Sequence, residues 1–372
     1  MLAPSDPIAA VTHPDPYPYY ANLVAERPLY RDESLGLWVA AGAAAVTSVL
    51  KSEAGRVRPP AEPVPRALVG TPAGEIFRHL VRMNDGANHL RLKPGVSAKV
   101  ALLDPVKVAE QAATWARHLA GELKPATHPE GVADVAFRLS PYVIASLLGV
   151  TPDALAPTAA RAGDFVVGLA PTATPDQIAR GAAAAAELTT AFCTLMRREA
   201  LDAVVANTIG YLSQAYEATA GLIGNTLVAL GRQPELRARV GAEPGLLRAV
   251  VREVVRHDSP VQNTRRFLVA DAVVAGQALR AGDTVLVVLG AANRDPSVNP
   301  EPDRFDPTRR EREAYTFGLG VHACPGEALA SMIAEAGVAA LLAAGVEPAR
   351  LVEGVRYRPS ANTRVPLFGA AP

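Results

Sequence analysis

Apolar positions recur at helical spacing through long blocks of this chain and give way to short strand-like runs in only a few places. Near the start, Gly36-Leu37-Trp38-Val39-Ala40 reads as a strand and 43–51 as a helix. Prolines crowd 56–72, which predicts an extended loop, and 74–83 is helical again. Helical blocks follow at 106–123, 132–148 (with Pro141 a candidate kink), 159–169 and 175–200. The pattern over 203–230 is the longest without a proline. At 1.5 Å per residue it spans on the order of 40 Å, and Gly231 and Pro234 end it. A helix over 247–256 leads to a strand-rich stretch, with strands at 266–269 and 284–289 and a turn at Gly276. From Asn293-Arg294-Asp295-Pro296 the chain is irregular and proline-rich until Gly326, after which Ala, Glu and Leu predict a helix. The elements add up to a mainly α chain with a smaller β-rich lobe.

Composition narrows the classes. Hydrophobic residues make up 49% of 372, enough for a large core. Lys plus Arg and Asp plus Glu number 37 each, so charge argues for neither nucleic acid nor an anionic membrane as partner. Two cysteines cannot build a disulfide framework, and Cys193 lies in a helical Ala-rich run, which fits a reducing cytoplasm. Prolines break 1–18, so it does not resemble a secretion signal, and the apolar run 37–50 is too short to span a bilayer. A cytoplasmic chain without a membrane partner is expected.

The chemistry concentrates in Phe317-Gly318-Leu319-Gly320-Val321-His322-Ala323-Cys324-Pro325-Gly326. Glycines at 318, 320 and 326 allow positive φ and close approach to a flat ligand. A thiolate is a strong, soft metal ligand, and the helix starting after Gly326 would place its positive end beside the sulfur. The plain alternative is a glycine-rich loop with a buried free cysteine.

Those ten residues resemble the haem-ligand loop of cytochromes P450, F-G-x-G-x-H-x-C-x-G, at all six fixed positions. The resemblance implies one haem-binding domain over 1–372, non-covalent haem b, Cys324 as the iron ligand and His322 as a propionate contact. Phe317, Gly318 and Gly326 would shape the haem site. His89 and Lys93 fall where the family has H-x-x-x-R; lysine keeps the charge and loses the bidentate fork. Arg266, with Arg265 as fallback, would be a further propionate contact. Glu253-Val254-Val255-Arg256 matches the family's E-x-x-R, and Arg304 of Pro302-Asp303-Arg304-Phe305 would complete that cluster.

The resemblance also reaches the middle of the long helix, Gln214-Ala215-Tyr216-Glu217-Ala218-Thr219-Ala220-Gly221-Leu222-Ile223-Gly224-Asn225, with one departure. The family's acid is Glu217, yet the threonine that should follow it is Ala218; Thr219 lies about 100° further round the helix. In the family that hydroxyl supports oxygen activation. Gln214 and Glu217, three apart, share a helix face and are expected to replace it. Phe165, Val166 and Val167 are candidate substrate-pocket residues. The resemblance implies monooxygenase-type oxidation of a small, mostly apolar molecule in secondary metabolism, with electrons from a separate ferredoxin or flavodoxin. Arg309, Arg310 and Arg312 would meet that acidic donor. The alternatives are an atypical enzyme using peroxide or substrate-assisted proton delivery, and a non-catalytic haem sensor.

Overall fold

The computed structural model describes residues 3–369. A small lobe gathers β1 (Leu29–Asp32), β2 (Leu37–Ala40), α1 (Tyr17–Glu26), α2 (Ala43–Lys51) and β3 (Gly55–Arg56). The helical part follows with α3 (Pro72–His79), a short 3-10 turn (Val81–Met83), α4 (Gly86–Ala101), α5 (Pro105–Leu123) and α6 (Glu130–Leu147). It continues through α7 (Pro152–Gly168), α8 (Pro175–Met196), α9 (Ala203–Arg232), α10 (Pro234–Ala242) and α11 (Leu246–His257). The chain then returns to the small lobe with β4 (Thr264–Leu268), β5 (Ala272–Val274), β6 (Gln277–Leu279) and β7 (Thr284–Val287). A long helix, α12 (Glu327–Ala343), follows the cysteine loop, with a short helical turn at Pro348–Leu351 after it.

The main sheet has the order β1-β2-β7-β4-β3, with β2 and β7 parallel and the other neighbours antiparallel. Arg266 stands on β4 opposite Val285 of β7, so its position is set by a central pair of the sheet. Buried Val285, Leu286, Val287 and Val288 form the continuous apolar run expected of a strand covered on both faces.

Helix α9 is the axis of the helical part. Asp202 caps it, accepting from the amides of Val204 and Val205. Its residues 219–231 are buried without interruption, in contact with α6, α12 and α11. Two glycines permit that closeness: a Cβ on Gly221 would lie 2.8 Å from the Arg364 carbonyl, and one on Gly337 2.8 Å from Leu139. One turn earlier the packing stops: Gln214 is exposed and residues 215–218 are only half-buried. Polar capping and apolar packing therefore fix both ends of this helix and leave an opening in its middle.

Arg364, with no exposed surface, ties the two ends of the chain together. It donates to Asp258 (2.8 Å) and to the carbonyls of Val11 (3.0 Å), His13 (2.6 Å) and Pro14 (3.2 Å).

Most of the expected elements are present, with shifted ends. The helix expected over 74–83 breaks at Leu80, whose extended φ/ψ separates α3 from the short turn. The block at 175–200 stops at Met196, where Arg197 adopts the left-handed conformation. The sequence reading has no helix at α4, because Pro94 and Gly95 interrupt its pattern. Among the described residues, no helix is long and apolar enough to cross a membrane.

Candidate haem-thiolate site

The cysteine loop is held from behind by a buried charge cluster. Arg256 and Glu253, one helical turn apart on α11, are both fully buried and joined at 2.5 Å and 3.2 Å. Arg256 also donates to the carbonyls of Pro302 (2.8 Å), Asn293 (3.3 Å) and Arg304 (3.2 Å). Glu253 in turn accepts from Arg312 (2.9 Å) and from the amide of Asp306 (3.2 Å), with Arg309 3.7 Å away. Arg304 is thus not the third side chain of the cluster: it contributes a carbonyl, and its own guanidinium is exposed beside Glu301 and Asp306. The place belongs to Arg312 and Arg309, whose side chains are 11% and 10% exposed. Of the three arginines expected to meet a donor protein, two therefore point inward, and only Arg310 is exposed.

Asn293 and Thr316 carry this order into the loop. Asn293 donates to Thr316 Oγ1 (2.9 Å) and accepts from the Tyr315 amide (2.6 Å), while Thr316 donates to the Val255 carbonyl (2.6 Å). The Cys324 amide then bonds the Phe317 carbonyl at 2.8 Å, closing the loop. Gly318 and Gly320 both sit at φ +69°, so their achirality is used. Gly326 is different: its φ is −95°, and a Cβ there would make an ordinary 3.7 Å contact with the sulfur, so neither backbone conformation nor space requires glycine at this position.

Cys324 is a free thiol. The Gly326 amide donates to its sulfur at 3.3 Å as α12 begins. Burial pushes the thiol pKa up, against the downward pull of that amide and of Lys93. The residue is at the same time exposed, so protein surrounds the sulfur while open space remains in front of it. Such a recess suits a metal, whose coordination deprotonates a thiol outright.

Four cationic or ionisable side chains expected around the haem carboxylates do converge beside this recess. Lys93 donates to the Ala323 carbonyl at 2.7 Å. The His89 and His322 rings lie 4.3 Å apart. His322 Nε2 is bonded to Asp85 at 2.9 Å, so an acid of this chain already holds one of the expected contacts. Asp85 also accepts from the Val57 amide at 2.9 Å and pulls on Arg266, which is 7% exposed. Among the described residues, His89 Nε2 is buried without a hydrogen-bond partner, at a residue 2% exposed. Burial first, then the charges of His322 and Lys93, hold its pKa down to about 4. A buried, unbonded nitrogen among cations is what a carboxylate would satisfy, so these residues fit a haem. Nothing at the sequence level singled out Asp85; its place four residues before His89 was the available signal.

The distal residues are arranged differently from the expectation. Gln214 folds back to the Gly210 carbonyl at 2.8 Å. Glu217 gives one oxygen to Arg358 (2.8 Å) and the other to Thr363 (3.0 Å). The two side chains do not meet. Thr219 is 1% exposed and its hydroxyl is unbonded among the described residues, so it faces the core and not the open stretch. Phe165 is a core residue with no exposed surface, while Val166 and Val167 are half-buried.

A mainly helical fold with a small sheet lobe, and a free cysteine on a glycine loop beside His89, Lys93 and His322, fit the class of haem-thiolate proteins. The cytochrome P450 family model matches residues 201–344, which hold α9, the buried charge cluster and Cys324. The biotin biosynthesis cytochrome P450 of Bacillus subtilis is 26% identical, with 88% of each chain covered. The 6-deoxyerythronolide B hydroxylase of Saccharopolyspora erythraea is 39% identical over 130 residues, 35% of this chain and 32% of that one. Like it, two further curated relatives are matched over only about a third of their own length. Among solved structures, CalO2 superposes with a TM-score of 0.82 at 26% identity, with 99% of both chains covered. P450BioI, in complex with a hexadec-9Z-enoic acid ligated acyl carrier protein, gives 0.81 at 26%, covering 95% of this chain and 98% of that one. The match over residues 201–344, a relative aligned along 88% of both chains and the two superposed structures together support a bacterial-type cytochrome P450, a family whose members carry haem.

Proposed function

We propose that the protein is a haem-thiolate oxidoreductase that carries out monooxygenase-type oxidation of a small, mostly apolar molecule, as one haem-binding domain over 1–372. The observation that carries this reading is the free Cys324 sulfur, presented in a recess by a loop that the Glu253 cluster holds from behind. Cys324 is the iron ligand, and His89, Lys93, Arg266 and His322 receive the carboxylates of haem b. Phe317, Gly318 and Gly326 shape the loop against the haem, Gly318 through its left-handed backbone. When bound, the haem supplies the redox chemistry, with the thiolate pushing electron density toward O–O cleavage.

Around it the chain binds, orients and handles protons. The open stretch of α9 at 214–218 forms the substrate side of the pocket. Ala218 leaves room where the family has a hydroxyl. Glu217 works from a fixed position, anchored on Arg358 and Thr363, and orients a water or a substrate hydroxyl without Gln214, which is bonded to the Gly210 carbonyl. Support for oxidation comes from the relatives, which include a named hydroxylase. Electrons come from a separate ferredoxin or flavodoxin in the cytoplasm, and the product belongs to secondary metabolism. A second reading, use of peroxide as oxidant, is favoured by the missing hydroxyl at Ala218. A haem sensor is disfavoured, since 214–221 offers no His, Met or Lys to close the sixth iron position.

The reduced wild-type protein should give a CO-bound absorption at roughly 450 nm, and Cys324→Ser should abolish it, because thiolate ligation sets that band. Absence of the band in the reduced wild type would overturn the reading.

A further inference from the structure

Arg82, in the short turn between α3 and α4, has a setting unlike that of any cation in the carboxylate cradle. Among the described residues it makes no hydrogen bond and no ion pair, although its guanidinium carries five donors. Protein surrounds it so completely that burial alone pushes its pKa down to about 10, still cationic at neutral pH. Yet the residue is exposed. Cys324 shows the same combination. It marks a group lining an enclosed space and not the outer surface.

Arg82 is also electrically separate from the cradle. The His89 and His322 rings lie 4.3 Å apart, His322 is bonded to Asp85, Lys93 acts on His89 and Asp85 acts on Arg266, whereas no neighbouring charge acts on Arg82. The turn that carries it is fixed on α9. The Val81 amide donates to Asn207 Oδ1 at 2.9 Å, and Asn207 donates back to the His79 carbonyl at 2.8 Å. A Cβ on Gly210 would meet Leu80 at 2.8 Å and the Gln214 amide at 3.0 Å. Asn207, Gly210, Gln214 and Ala218 are spaced three and four apart, so they share one face of α9. That face runs from the Arg82 turn to the open stretch, roughly 12 Å between Gly210 and Ala218.

An enclosed guanidinium without a counter-charge is costly unless a ligand supplies one. We infer that Arg82 is the anchor for a carboxylate on the substrate, and that this protein oxidises a monocarboxylic acid whose apolar part lies along α9 toward Ala218. The fork of an arginine matches a carboxylate in two parallel bonds. A phosphate dianion would call for a second cation, and none acts on Arg82. The inference rests on the haem-thiolate reading and names the substrate class for it.

The test uses the haem-loaded protein, with spectral titration by dodecanoate and 4-phenylbutanoate, each against its own primary amide. At least one acid should bind roughly tenfold or more tightly than its amide, as a charge-assisted pair predicts. Arg82→Met should erase that preference, and Arg82→Lys should restore part of it. Without ligand, Arg82→Met should raise the melting temperature, since an unpaired enclosed charge is gone; a merely structural arginine would lower it. No preference for either acid, or a preference that survives in Arg82→Met, overturns the proposal. So does loss of haem from Arg82→Met with the preference unchanged, which would give the residue to the cofactor. The reduced CO band, recorded on each sample, reports on the haem-thiolate reading independently.

Discussion

The two sides of the proposed haem pocket are built on opposite plans. Behind Cys324, almost every polar group has several partners: Glu253 serves Arg256, Arg312 and the Asp306 amide, and Asn293 and Thr316 carry the order into the loop. On α9, the same chain interrupts a buried helix over 214–218, folds Gln214 back on its own backbone and parks Glu217 on the C-terminal segment. A ligand for iron has to hold one geometry, so its support is cross-braced. A surface that receives a substrate needs room and a particular polarity, and few constraints from the fold act there.

The sharpest way to break the contrast is through its most braced residue. Glu253→Gln would leave Arg256, Arg309 and Arg312 facing one another without an acid. Removing one partner of a buried pair costs about 3–5 kcal/mol, which in a chain of 372 residues is about 4–6 °C in melting temperature. The cysteine loop should loosen with it, visible as lower haem content after gel filtration. A melting temperature within a degree or two of wild type would mean that the bracing is ornamental.

The cradle should come next. Arg266→Ala removes a 7% exposed cation that Asp85 acts on, and His89→Ala removes the nitrogen that has no partner among the described residues. Each should weaken haem retention by about 1.5–3 kcal/mol, the worth of a hydrogen bond to a charged group. Unchanged haem content in both would move the carboxylates elsewhere.

His257 tests the same side by pH. Burial, then Arg294, lowers its pKa to about 3, against 6.5 for the free side chain. Between those values the unfolded chain binds the extra proton, so this group's contribution to stability falls as pH drops from about 6.5 toward 3. The melting temperature of His257→Gln should decline less steeply over that range. An unchanged slope would show that other groups govern acid unfolding.

The smallest effect on stability belongs to the open side. The Glu217–Arg358 pair is 23% and 28% exposed, so Glu217→Gln should cost no more than about 1 kcal/mol. Its effect on turnover is the informative one. A role in proton handling predicts at least a tenfold loss, within the roughly 10²–10⁴ that general acid–base help supplies. Full product yield with both a donor chain and peroxide would leave Glu217 as a strut.

This asymmetry also decides what the sequence could disclose. The cysteine loop and E-x-x-R are local patterns whose spacing is fixed by one loop and one helical turn, so they are legible in a single chain. The partners of Glu253 were misassigned, since Arg304 and Arg312 lie in one irregular stretch and only the folded path decides which side chain turns inward. Helix α4 was missed because Pro94 and Gly95 break its pattern while its packing holds it. Arg82 carried no pattern at all. Its meaning comes from Asn207 and Gly210, more than a hundred residues away, which set it against α9.

Arg364 has a consequence for how the molecule is made. The carbonyls of Val11, His13 and Pro14 are synthesised some 350 residues before their partner. At about 5–20 residues per second, that is a wait of roughly 18–70 seconds. Until then the N-terminal segment lacks its clasp, and Asp258 lacks the cation that meets it. This clasp can close only once Arg364 has been made, and a chain interrupted before it would leave both the 11–14 carbonyls and Asp258 without their common partner.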